Sequence, residues 1–67
     1  MIKVNLDRVL LDKQITSKML AAEINMTPAN LSILKTGKAK GIRFETLARI
    51  CKVLDCQPGD ILEYVPE

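Results

Sequence analysis

Between Leu6 and Leu62 the apolar positions recur at three- and four-residue spacing, interrupted by short polar stretches, which predicts several short amphipathic helices. Leu6, Val9 and Leu10 mark the inner side of a helix over residues 6–14, with Asn5 placed to cap it and Asp7 in its first turn beside the helix dipole. Leu20, Ala21 and Ile24 do the same for a second helix, capped by Thr16 or Ser17 and ending near Ile24. A third runs from Pro28 to about Thr36, with Leu31 and Leu34 inward. The fourth is expected over Phe44 to Leu54, burying Phe44, Leu47, Ala48, Cys51 and Leu54 and exposing Glu45, Arg49 and Lys52. Gln57-Pro58 opens a short fifth helix through Asp60, Ile61 and Leu62. The chain ends read differently. Met1 to Val4 alternates apolar and polar residues, Ile61 to Val65 does so more loosely, and both hold β-favouring residues. They are expected to pair as a two-stranded antiparallel ribbon, within the subunit or across a dimer.

The junction between the second and third helices carries the most information. Asn25 sits where the chain must reverse, and Asn is among the few residues other than Gly that accept a left-handed backbone. Met26 can fill the corner between the helices. Thr27-Pro28 then restarts the chain, a hydroxyl cap followed by a ring whose fixed φ suits the first helical position. Gly37 supplies the stop after Leu34. Two short helices joined in this way form a helix-turn-helix, the unit that sets one helix into the major groove of DNA.

At 67 residues the chain is expected to be a single domain over residues 1–67, near the lower size limit for folding without metal or disulfides. Aliphatic side chains carry the 48% apolar fraction, since Phe44 and Tyr64 are the only aromatics, and the fold class expected is all-α. No apolar run approaches the ~18 residues that span a membrane, and Met1 to Asp7 lacks the apolar segment of a signal peptide. A cytoplasmic, nucleoid-associated location is expected. Cys51 and Cys56 are the only cysteines and there is no histidine, so two reduced thiols in or near the core are expected, with no metal and no cofactor. Without histidine, a phosphate-binding glycine loop or clustered carboxylates, nothing supports an enzyme.

Net charge is only +2, but its distribution is uneven. From Thr16 to Arg43 the cations Lys18, Lys35, Lys38, Lys40 and Arg43 face Glu23 alone, while the remaining segments are net acidic. A basic face at the end of a candidate recognition helix is the electrostatic footprint of a DNA binder. At 100° per residue, Ala29 and Ile33 point almost opposite to Leu31, flanked by Asn30, Ser32 and Thr36. Asn30 is the only amide on that face. Ala29 and Ile33 suit thymine methyl contacts; docking through phosphates with readout of DNA shape, or a protein partner for this helix, are the other readings left open.

The run L-A-A-E-I-N-M-T-P-A-N-L-S-I-L-K-T-G-K, followed by G-K-A-K-G-I-R-F and a fourth helix, resembles the Cro/C1-type, Xre-like helix-turn-helix regulators, including the DNA-binding domains of phage repressors. The likeness extends from Leu6 to Leu62. It implies a lambda-repressor-like fold of five short helices and a homodimer that binds double-stranded DNA at an inverted-repeat operator and regulates transcription, most often as a repressor. It also implies that Thr27, Pro28, Ala29 and Asn30 enter the major groove, with Ser32 and Ile33 facing bases or the groove wall. Ser17, Thr36, Lys38, Lys40 and Arg43 would contact the backbone, Arg43 reaching toward the minor groove. Family members usually place longer polar side chains on the outer face of the recognition helix than this chain does. An antitoxin-like protein, or an interaction module that kept the fold with weak DNA specificity, is the alternative. With no second domain expected, no small-molecule effector is expected either.

Overall fold

The computed structural model covers residues 1–67 and has five helices and two short strands. In chain order these are β1 (Ile2–Val4), α1 (Leu6–Lys13), α2 (Ser17–Glu23), α3 (Pro28–Lys35), α4 (Phe44–Leu54), α5 (Pro58–Ile61) and β2 (Leu62–Tyr64). The five expected helices and the expected terminal ribbon are both present, and the ribbon forms within the chain. β1 and β2 are antiparallel, with Ile2 opposite Tyr64, Lys3 opposite Glu63 and Val4 opposite Leu62. Val4 and Leu62 lean on the core while Ile2 and Tyr64 remain exposed. Leu62, expected at the end of the fifth helix, is instead the first residue of β2.

Twelve aliphatic residues form the core, and every helix contributes to it: Leu6, Val9, Leu10, Leu20, Ala21, Ile24, Leu31, Leu34, Leu47, Ile50, Leu54 and Ile61. No polar side chain is buried. Helices of 4 to 11 residues are too short to persist alone in water, so this shared burial is what keeps them helical. The sequence expectation for α4 is corrected. Phe44 is 88% exposed and Ala48 is exposed, while Ile50 is fully buried. Leu47, Ile50 and Leu54 set the inward direction, and at 100° per residue Phe44 and Ala48 lie roughly 90° and 130° away from it. Asn5 is corrected too. Its side chain does not cap α1 but donates from Nδ2 to Glu63 Oε1 at 3.0 Å, while its backbone N–H donates to the Ile61 carbonyl at 2.7 Å. The residue expected as a cap therefore joins the first helix to the β2 end of the chain.

One device ends all four longer helices. Gln14, Asn25, Gly37 and Asp55 follow α1, α2, α3 and α4 with φ of 57°, 57°, 79° and 50°. In each case the next residue donates its N–H back across the turn: Ile15 to Leu10, Met26 to Ala21, Lys38 to Ile33 and Cys56 to Cys51, at 2.8–3.1 Å. This is the Schellman pattern, which satisfies a terminal carbonyl and sets an apolar residue against the last turns. Ile15, Met26 and Cys56 take that apolar place, each partly buried against the core. Lys38 is the exception and is exposed.

Only Gly37 adopts this left-handed geometry without the penalty carried by residues with a Cβ. Gln14 has neither that freedom nor the short polar side chain that suits Asn25 and Asp55. Gln14→Gly is therefore expected to stabilise by up to about 1 kcal/mol and to raise Tm by about 4 °C or more. Gly37→Ala is expected to lower Tm by a similar amount, because a Cβ there meets no atom within 4 Å and only the backbone conformation opposes it. Thermal unfolding of both variants followed by circular dichroism checks the pair.

Candidate nucleic-acid interface

The α2–turn–α3 unit forms with the expected chemistry at each joint. Thr16 Oγ1 accepts from Met19 N–H at 3.1 Å to cap α2, and Thr27 Oγ1 accepts from Asn30 N–H at 3.1 Å to cap α3, with Pro28 in the first turn. Ser17 is half-buried at the first position of α2. Thr27 uses its oxygen as the cap acceptor, which leaves its hydroxyl hydrogen free to donate outward.

Leu31 and Leu34 hold α3 on the core, so its opposite face is solvent-facing. Thr27, Pro28, Ala29, Asn30, Ser32, Ile33 and Thr36 are all exposed, with Ile33 48% exposed. Thr36 differs from the others in that its hydroxyl donates to the Ser32 carbonyl at 2.9 Å, closing the last turn of α3. A hydroxyl has one hydrogen to donate, so a phosphate contact from the Thr36 side chain requires that bond to be broken.

The connection from α3 to α4 is two-sided. Ala39 and Ile42 are partly buried against the core, and the cations between and around them, Lys38, Lys40 and Arg43, are exposed. Tucking in these two apolar residues is what turns the three cations outward. None of the three has an ion-pair partner, and neither does Lys18. Lys35 is different. Its ammonium is 3.5 Å from Asp7 of α1, so its charge belongs to the packing of α3 on α1. The free positive charge around the helix-turn-helix thus rests on Lys18, Lys38, Lys40 and Arg43.

The start of α4 adds a feature that sequence reasoning missed. Arg43 occupies the N-cap and offers no side-chain acceptor, so the N–H groups of Phe44, Glu45 and Thr46 have no partner in the chain. The positive end of an 11-residue helix is therefore open beside the cationic loop, an arrangement suited to an anion. The available signal was an arginine at a position that needs an oxygen. A shallow groove of about 380 Å³ lies between α3, the loop and α4, and it brings Asn30 and Ile33 onto the same surface as Arg43 and Thr46, with Met26 and Ile42 at its base. The structure thus gathers Asn30, Ile33 and Arg43 at one concavity, and sets Ser17 apart from it at the start of α2.

Comparison with known proteins identifies the family and the fold. The family profile described as a Cro/C1-type HTH DNA-binding domain matches residues 5–67. An uncharacterised HTH-type transcriptional regulator, YozG of Bacillus subtilis (strain 168), is 54% identical over 61 residues, spanning 91% of this chain and 73% of that protein. Among solved structures, the transcriptional regulator VanUg superposes with a TM-score of 0.78 at 27% identity, over 98% of this chain and 87% of that one. A Bacteroides fragilis protein provisionally described as DNA-binding superposes with a TM-score of 0.83 at 21% identity, over 94% of this chain and 100% of that one, and shares the fold.

Proposed function

Because the chain belongs to the Cro/C1-type helix-turn-helix family of DNA-binding regulators, we propose that it binds double-stranded DNA sequence-specifically, as a homodimer on an inverted-repeat operator, and represses transcription from it. The observation that carries the reading is the single groove where the outer face of α3 meets Arg43 and the uncapped start of α4. An exposed helix face flanked by unpaired cations and free backbone N–H groups suits insertion into the major groove with phosphates held on either side. The proposed division of labour gives Thr27, Pro28, Ala29, Asn30, Ser32 and Ile33 the groove. Ser17, Thr36, Lys38, Lys40 and Arg43 receive the phosphates, and Arg43 reaches toward the minor groove. No helix is long and apolar enough to cross a membrane, and we place the protein in the cytoplasm with the nucleoid. The family is a class of DNA-binding regulators rather than of enzymes.

Two-fold symmetry suits a site of this size. One helix of eight residues reads half an operator, and two copies spaced about one helical turn, ~34 Å, read a palindrome. Base discrimination comes from Asn30, through amide hydrogen bonds to adenine, and from Ala29 and Ile33 against thymine methyl groups. A second reading, a protein-interaction module, draws on exposed Ile33 in the groove and exposed Phe44 at the start of α4.

Selection from a random duplex library at several salt concentrations tests the proposal. Steeply salt-dependent binding with enrichment of an inverted repeat is expected. Binding without enrichment removes sequence specificity from the reading, and no binding at low salt leaves the interaction module. Lys38→Gln with Lys40→Gln is expected to reduce the slope of log K against log salt by nearly two units while sparing base preference; an unchanged slope places both lysines away from the phosphates. Ile33→Ala is expected to weaken binding by roughly tenfold and to relax an A·T preference in the enriched site. Equal affinity and preference in the variant would remove the thymine contact.

A further inference from the structure

The Schellman turn that ends α4 differs from the other three in chemistry: both members of its apolar pair are cysteines. The N–H of Cys56 donates to the carbonyl of Cys51 at 3.0 Å, and a backbone bond of that length holds the two Cα atoms within about 7 Å of each other. Disulfides bridge Cα separations of about 4.4–6.8 Å provided that the side chains point together. The 6→1 turn commonly sets the side chains of this pair against each other, and here both pack on the same core cluster. Both residues are partly buried against the core, both thiols are free, and no other cysteine competes for either.

Access is one-sided. Cys56 lines an open cleft between α1 and the α5–β2 end, together with Arg8, Lys13, Asp55 and Asp60. Lys13 reaches across this cleft to the Asp55 carbonyl at 3.4 Å. Cys51 is not on the cleft wall and is half-buried.

We propose that Cys51 and Cys56 form a reversible oxidative modification site, closing to an intrachain disulfide across the end of α4 by exchange with a low-molecular-weight disulfide. The Cys56 thiolate attacks one sulfur of the small disulfide, whose S–S bond breaks and releases one small thiolate, leaving a mixed disulfide on Cys56. Cys51, deprotonated to solvent, then attacks the Cys56 sulfur and expels the second small thiolate. Two protein thiols are oxidised and one small disulfide is reduced to two thiols. Burial first, then Cys51 and Asp60, hold the Cys56 thiol above its ordinary range, with Lys13 opposing them. Exchange therefore runs through a small thiolate fraction and is slow at neutral pH. The product would pin the last turn of α4 to the start of α5 in a fold of 67 residues, where a covalent staple has a large relative effect. The site lies at the opposite end of α4 from Arg43 and Phe44.

The test uses the full 67-residue chain and excess oxidised glutathione at pH 8, followed by alkylation, intact mass, peptide mapping and thermal unfolding. The expected product is a monomeric chain lighter by two hydrogens, with a Cys51–Cys56 cross-linked peptide and a Tm raised by about 5 °C, reversed by dithiothreitol. Cys51→Ser is expected to stop at a stable glutathione adduct on Cys56. Retention of two alkylatable thiols, a wild-type adduct that never closes, or a covalent dimer overturns the proposal. A disulfide that leaves Tm unchanged or lower overturns the staple.

Discussion

Each of the four longer helices must stop abruptly and turn, and the left-handed residue that follows it is the constraint on which the rest of this small fold depends. Helices of 7 to 11 residues gain their stability from shared burial, and the burial exists only if Leu6, Leu20, Leu31, Ile50, Leu54 and Ile61 reach a common centre. Gln14, Asn25, Gly37 and Asp55 make that geometry possible by reversing the chain within two residues. The returning N–H bond also drops Ile15, Met26 and Cys56 onto the edge of the core, so each turn is at once a stop and a packing contact.

The same motif has a different outcome after α3. Where the other helices place an apolar residue, α3 is followed by exposed Lys38. Ala39 and Ile42 then take over the anchoring of the loop, and Lys40 and Arg43 are left facing solvent. The charged surface beside α3 is thus a consequence of how its connection is held down. Lys35, just before the stop, is drawn off to Asp7 and serves packing instead. Surface ion pairs of this kind contribute little to stability, and the pairing matters here mainly because it removes one cation from the free set.

Much of the architecture was legible because local rules and burial agree. Thr27-Pro28, Asn25 and Gly37 each have one dominant structural use, and all three adopt it. Leu20, Ala21, Ile24, Leu31 and Leu34 have the spacing of a buried stripe and are buried. Legibility failed where two local rules compete. Phe44 satisfies the apolar pattern of α4 as well as Ile50 does, but the direction of the buried face is set by the helices packed against it, and Ile50 is the residue that faces them. Asn5 could cap a helix or bond across to another segment, and the proximity of β2 brought Glu63 within reach.

The sequence by itself determined the helix-turn-helix, the two-stranded ribbon as an expectation and the concentration of cations after α3, because these depend on residue types within a few positions of each other. Only the tertiary structure decided which cations are free, which helix start is open, and which residues share one groove. Lys35 and Lys38 are three positions apart and identical in type, yet one meets Asp7 and the other meets solvent. The uncapped N–H groups of α4 join Ile33 and Asn30 at one surface for the same reason. Such relations are set by packing between distant segments, which no local pattern encodes.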